Sequence, residues 1–193
     1  HGFHRNDITD VFITHLHFDH CGGSIIREGE KLVPAFKNAV FWSNREHWNW
    51  AVKPNAREKA SFLKDNILPI EESGQLKFAD TTNGRTTGLD SFSIRFVNGH
   101  TREMMLPQIE YNGQTVVYMA DLLPSQAHIP LPYVMAYDMF PMTTLEEKQA
   151  FLTEALEKNY VLFFEHDPVY ECCTLKQTEK GIRPGEFFKL ESL

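Results

Sequence analysis

The segment Thr14-His15-Leu16-His17-Phe18-Asp19-His20 constrains this chain more than any other feature, because it packs three imidazoles and a carboxylate into six positions. Gathering so many polar rings costs desolvation energy unless a partner compensates for it. Imidazole nitrogen and carboxylate oxygen are the ligands that zinc and similar divalent metals prefer. The run Val11-Phe12-Ile13 reads as a short buried strand, with Asp10 before it and Gly22-Gly23 beyond the cluster. The cluster therefore sits on the turn leaving a strand's C-terminal end, where open α/β sheets place ligands. His15 and His17 are two apart, so in extended backbone they point the same way and can share one metal. Asp19 and His20 are adjacent, and a turn there aims both at a second metal.

Three further residues of the same chemistry stand where apolar runs stop. His100 follows Phe92-Ser93-Ile94-Arg95-Phe96-Val97, Asp121 ends Thr115-Val116-Val117-Tyr118-Met119-Ala120, and His166 ends Tyr160-Val161-Leu162-Phe163-Phe164-Glu165. Singly, each is most simply a loop residue or a hydrogen-bonded histidine. Together, at strand ends behind an H-x-H-x-D-H turn, they point to a common rim.

This order resembles the metallo-β-lactamase superfamily over nearly the whole chain. The segments Phe12 through Gly23, Gly99-His100-Thr101, Ala120-Asp121 and Glu165-His166-Asp167 are most similar to its lactonase and organophosphate-hydrolase branch. The resemblance implies an α/β fold, a metallo-β-lactamase-like αββα sandwich of two mixed sheets lacking its first strands, as a single domain over residues 1–193. It implies that His15, His17 and His100 hold one metal, that Asp19, His20 and His166 hold a second, and that Asp121 bridges them. The implied cofactors are two divalent metal ions, zinc first among them. Two bridged cations would share a water and lower its pKa, and would polarise a carbonyl or phosphoryl oxygen. Asp19 and Asp121 are then the catalytic carboxylates of a dinuclear metal-dependent hydrolase using a metal-bridging hydroxide on a small lactone, ester or related substrate. A glyoxalase-II-like thioesterase is the rival enzyme reading, and a non-catalytic metal-binding protein that keeps the fold is the rival class.

Departures narrow the expectation. The best-known zinc β-lactamases carry cysteine where this chain has Asp121, and flavodiiron proteins carry glutamate where it has His17. Many quorum-signal lactonases carry a tyrosine three residues after the bridging aspartate, and here that position is Pro124. Tyr133 and Tyr137 are the candidate substitutes for that phenol.

Composition is that of an ordinary globular enzyme: 193 residues, 42% hydrophobic and 23% charged. The 19 basic and 26 acidic residues leave a net charge of −7, with no Lys/Arg-rich run to follow phosphates, so a nucleic-acid partner is not expected. No apolar stretch approaches the ~18 residues of a membrane helix. Cys21, Cys172 and Cys173 form no spaced framework, so reduced thiols and a cytoplasmic setting are expected. Cys21 is read as a small packing residue beside His20. The expected partners are a small-molecule substrate and a second copy in a homodimer. The start, His1-Gly2-Phe3-His4, runs almost directly into the motif strand where the superfamily places several strands first, so a missing upstream segment is expected.

Between the ligand segments, Ala39-Val40-Phe41-Trp42 reads as a strand, and residues 44–52 and 56–65 read as short helices separated by Pro54. Trp48 and Trp50 are read as candidates for the pocket wall, and His47 as a surface or packing residue. Residues 76–80 and 91–97 read as strands around Thr82-Asn83-Gly84, and residues 105–111 and 115–119 as a hairpin through Asn112-Gly113. Residues 122–142, rich in proline and aromatics and containing His128, read as a substrate-facing loop. With Trp48, Tyr133 and Tyr137 it would form an apolar wall suited to hydrophobic acyl or aryl groups. Thr144-Leu145-Glu146-Glu147 has the capping-box pattern and predicts a helix to about Lys158.

Overall fold

The computed structural model describes residues 2–79 and 91–193, and the chain divides into two compact units, His1–Gly88 and Leu89–Leu193. In the first unit, β1 (Asp10–Phe12), β4 (Val40–Ser43) and β5 (Leu76–Phe78) form a three-stranded sheet in the order β1-β4-β5. Both pairings are parallel. Each connection between these described strands is a long crossover, as parallel pairing requires. The first crossover carries α1 (Phe18–Cys21) and a separate hairpin of β2 (Ile25–Glu28) and β3 (Lys31–Pro34). The second carries α2 (Arg45–Val52) and α3 (Lys64–Glu72).

Leu16, Cys21, Phe41 and Ile70 of this unit are fully buried, with Trp48 at 3% exposure in the same cluster. Trp48 thus lies in the core, edge-on to Phe78 at 6.1 Å. α2 starts at Asn44, whose side chain accepts from the His47 amide at 2.8 Å. The helix expected over residues 56–65 is instead a turn. Asn55 Oδ1 accepts from the amides of Arg57 and Glu58 at 2.9 and 3.0 Å, giving the backbone a local alternative to the helix. The helix that does form, α3, runs over Lys64–Glu72 with Pro69 inside it. The turn expected at Thr82-Asn83-Gly84 lies outside the described residues.

The second unit is a six-stranded sheet in the order β11-β10-β9-β8-β7-β6. Its strands are β6 (Ser93–Val97), β7 (Met104–Tyr111), β8 (Gln114–Tyr118), β9 (Val161–Phe163), β10 (Cys172–Thr178) and β11 (Gly181–Phe188). The β7–β8 hairpin turns through Asn112 and Gly113, both at positive φ (49° and 78°), as the Asn-Gly signal requires. Only β8 and β9 pair in parallel among the described strands of this sheet. Their crossover is α4 (Pro141–Glu157), whose Phe151, Leu152 and Ala155 pack on Leu106, Val117, Met119 and Leu162. Burying Phe151 alone contributes about 1.5–3 kcal/mol. Pro184 is tolerated in β11 because that strand lies at the sheet edge.

The start of α4 corrects the capping-box reading. Pro141 occupies the first turn, with its missing N–H cost-free there, and Thr144 lies inside the helix. Glu147 braces a neighbouring turn instead of capping its own helix. Its carboxylate accepts from the amides of Asn98 at 2.7 Å and Gly99 at 3.0 Å, on the turn that carries His100. A side chain at position 99 would place its Cβ 2.2 Å from Thr144 Oγ1 and 2.4 Å from Thr144 N. Gly99 is therefore required by close approach to the helix backbone. Gly99→Ala is expected to lower stability by about 2–3 kcal/mol through overpacking against backbone, read as a lower urea midpoint at unchanged slope. A midpoint equal to wild type would show that α4 can retreat freely from this turn.

Candidate metal centre

In the first unit the chain leaves the sheet after Ile13, whose amide still donates to Trp42 O at 3.1 Å. His17 then caps α1, its carbonyl accepting from the amides of His20 and Cys21, both at 3.0 Å. This short turn gathers the rings. His15 and His17 stand perpendicular with centroids 4.7 Å apart, and His20 lies 3.8 Å from His15. His15 and His17 are buried and each offers a nitrogen within 4.8 Å of the other. Asp19 Oδ2 lies 3.5 Å from His20 Nε2, with Asp19 the more exposed of the two.

One ring nitrogen of each of His15 and His17 is held by a neighbour. His15 Nδ1 lies 3.2 Å from Thr14 Oγ1, and His17 Nε2 lies 3.1 Å from Glu58 Oε1. Leu16, between the two rings, donates its amide to Nε2 of fully buried His47 at 2.8 Å. An accepting Nε2 assigns His47 the tautomer protonated at Nδ1. His47 is therefore a packing residue with a specific hydrogen bond to the motif backbone. Glu58 does not stand out in the sequence, where it is a carboxylate placed between Trp50 and Phe62.

The second unit supplies the other donors. Asp121 follows Ala120, whose φ of 42° is a strained backbone conformation for a residue with a Cβ. Met119 N, bonded to Phe163 O at 2.9 Å, anchors that turn to β9. Asp121 Oδ2 lies 3.0 Å from His100 Nε2, and Oδ1 lies 3.3 Å from His166 Nε2. His100 Nδ1 lies 3.0 Å from Asp138 Oδ1, and its backbone is fixed by Met139 N to His100 O at 3.1 Å and Phe140 N to Gly99 O at 2.8 Å. Burial disfavours charge on His100, but the carboxylates of Asp121 and Asp138 outweigh it and raise its pKa to about 9.

Glu165, which does not stand out in the sequence, also offers an oxygen within 4.8 Å of donor atoms of Asp121 and His166. The Tyr118 hydroxyl donates to Glu165, and burial together with that carboxylate pushes the phenol pKa upward. Asp167 organises the loop beyond His166, accepting from the amides of Gln126, Val169 and Tyr170 at 3.0, 3.0 and 2.9 Å. Burial opposes its charge, yet these amides hold its carboxyl below the usual range.

The remaining sequence candidates differ in exposure. Trp48 packs in the core of the first unit, while Tyr133 and Tyr137 are exposed at 61% and 78%. His128 is half-buried, its Nδ1 2.9 Å from Ser125 Oγ. Cys21 is fully buried, donates to Leu16 O at 3.3 Å, and has its thiol pushed up to about 12 by burial and by Asp19. That suits a packing residue and not a nucleophile.

The donor chemistry fits divalent metal ions. The donors are imidazole nitrogens and carboxylate oxygens, and His15, His17 and His100 each have the second ring nitrogen engaged by Thr14, Glu58 and Asp138. Ligating histidines are oriented in this way, with the outer nitrogen fixing the tautomer.

Residues 1–166 match the model of the metallo-beta-lactamase superfamily. No curated protein matches the chain. Among solved structures, a probable metal-dependent hydrolase from Staphylococcus aureus is 26% identical with a TM-score of 0.83, and this chain aligns over 100% of its own length and 66% of that one. AidC, a dizinc quorum-quenching lactonase in complex with a product, is 23% identical with a TM-score of 0.77, over 97% of this chain and 68% of that one. AbOPH, a hydrolase in the beta lactamase superfamily, is 20% identical with a TM-score of 0.78, over 97% and 67%. The chain thus spans about two thirds of the length of the structures it matches, and the last two likenesses are likenesses of fold. With its H-x-H-x-D-H turn, its Asp121 between two histidines and a family match over residues 1–166, this chain belongs to the metallo-beta-lactamase superfamily.

Proposed function

We propose that this protein is a dinuclear metal-dependent hydrolase. In this reading His15, His17 and His100 hold one divalent ion, Asp19, His20 and His166 hold the second, and Asp121 serves both. The observation that carries it is the division of Asp121, whose two oxygens each face a different histidine, His100 at 3.0 Å and His166 at 3.3 Å. Zinc is the leading candidate, since imidazole with carboxylate is its usual ligand set and AidC is a dizinc enzyme.

The bound ion pair would supply an activated water and a Lewis acid for a carbonyl or phosphoryl oxygen. The chain's own residues prepare for that chemistry. Glu58 and Asp138, as carboxylates, accept from the ring nitrogens they face and so favour one tautomer of His17 and His100, while Thr14 engages Nδ1 of His15; the nitrogens not engaged are the ones presented to a ligand. Burial of His15, His17, His100 and Asp121 keeps bulk water from competing for those atoms. Asp19, more exposed than His20 beside it, is the carboxylate we assign to orient an incoming nucleophile. A serine or cysteine nucleophile is not required.

The substrate class we assign is a small lactone or ester. Support comes from the superfamily and from AidC, a lactonase of the same fold. Pro124 stands where the quorum-signal lactonases carry tyrosine, which points away from acyl-homoserine lactones, and Tyr133 and Tyr137 are the exposed phenols nearest in sequence.

Elemental analysis of the gently purified protein is expected to give about two divalent ions per chain. Chelation should abolish, and zinc restore, hydrolysis on a panel of lactones, aryl esters, phosphotriesters and thioesters, with lactones or esters leading. A protein that takes up no zinc would sink the assignment. In the same assay Asp121→Ala should lower kcat/KM by about 100-fold or more. Cys21→Ala should cost only about 1 kcal/mol of stability and leave turnover near wild type; the reverse order would promote the thiol to a ligand or nucleophile.

A further inference from the structure

The segment between α2 and α3 holds a buried carboxylate that the ligand set does not use. Glu58 is 1% exposed. Its Oε1 lies 3.1 Å from His17 Nε2, while Oε2 accepts from Trp50 Nε1 at 2.7 Å and from Asn55 Nδ2 at 3.2 Å. A buried carboxylate without donors is costly, and here three donors converge on its two oxygens. Its backbone is fixed as well, since the Glu58 amide donates to Asn55 Oδ1 at 3.0 Å. Phe62 packs against the His17 ring, tilted at 52° with centroids 4.8 Å apart, so that ring is held by a hydrogen bond and by packing.

We infer that Glu58 is a positioning residue for His17: it fixes Nε2 as the protonated nitrogen, presents Nδ1 to the metal, and so sets the affinity of the ion His17 helps to hold. The inference rests on the dinuclear reading above. An ionised carboxylate only accepts hydrogen bonds, so the imidazole nitrogen facing it must carry the proton. The lone pair is then at Nδ1, and the ring cannot turn over without stripping Glu58 of a donor. Trp50 and Asn55 act one step further out, clamping the carboxylate. The aromatic segment whose sequence suggests a pocket wall thus also holds a ligand in place, through Trp50 and Glu58.

The test is zinc titration of the chelator-stripped full chain against a chromophoric competitor, with the metal-free thermal midpoint as a check on folding. Wild type is expected to bind two equivalents. Glu58→Gln, which keeps shape but removes the charge, should weaken one equivalent by about 10–100-fold and leave the other unchanged. Trp50→Phe should weaken the same equivalent by a smaller factor. In 15N-labelled wild type, the Trp50 indole N–H resonance should shift as the first equivalent binds, a readout independent of whether Glu58→Gln folds. Unchanged affinity in both variants, or an indole signal indifferent to zinc, would overturn the inference while leaving the dinuclear reading intact. Equal weakening of both equivalents would reduce Glu58 to a general structural role and overturn it too. A wild-type chain that binds no zinc would overturn both.

Discussion

Burying an imidazole is cheap only when both of its nitrogens have something to do, and the structure around this site answers that requirement. His15, His17 and His100 are at most 7% exposed, and each has one ring nitrogen engaged by a side chain of its own unit. The engaged nitrogen leaves the other to meet a ligand, a carboxylate partner also settles which nitrogen carries the proton, and the backbone has to deliver the partner to that place. Thr14 does so as the chain neighbour of His15. Glu58 and Asp138 arrive from 41 and 38 residues away, so their positions depend on the folded unit as a whole.

The backbone around the donors shows what this delivery requires. Gly99 lets α4 come within a distance no Cβ would allow, and Glu147 on that helix takes up the amides of the same turn. Ala120 holds a positive φ immediately before Asp121, a strain of about 1–3 kcal/mol that the surrounding sheet must offset. His47 anchors the Leu16 amide between two ligand rings. These are departures from regular structure at the ends of regular strands, where rigid neighbours can hold side chains to the tolerance that ligand binding needs.

The loop after Asp121 is secured by a different device. Lys148 of α4 is fully buried, and its ammonium donates to the carbonyls of Pro130, Leu131 and Tyr133 at 2.9, 3.2 and 2.6 Å. Burial pulls its pKa down to about 8, with Asp138 working in the opposite direction, so near neutral pH it keeps the three N–H donors that the three carbonyls use. The loop's exposed tyrosines therefore project from a fixed backbone. The cysteines play no comparable part. All three are free and buried, with burial pushing the thiols of Cys21, Cys172 and Cys173 up to about 12, 11 and 12.

What could be read from the sequence was local. Imidazoles spaced two apart after an apolar run, an aspartate or histidine just past three later apolar runs, and Asn112-Gly113 between two alternating runs each carry their meaning within a few residues, because strand periodicity and turn chemistry are short-range. The family likeness was legible in those same motifs. What the sequence obscured were cases where one local signal competed with another. Asn55 diverted the expected helix into a turn, and Thr144-x-x-Glu147 imitated the start of a helix that begins one turn earlier at Pro141. What only the tertiary structure decided were the partners: Glu58 for His17, Asp138 for His100, His47 for the Leu16 amide, and Trp48 in the core. A residue's hydrogen-bond partner 30 or 40 positions away leaves no period in the chain, since it is set by how sheets and helices pack and not by what lies next in sequence.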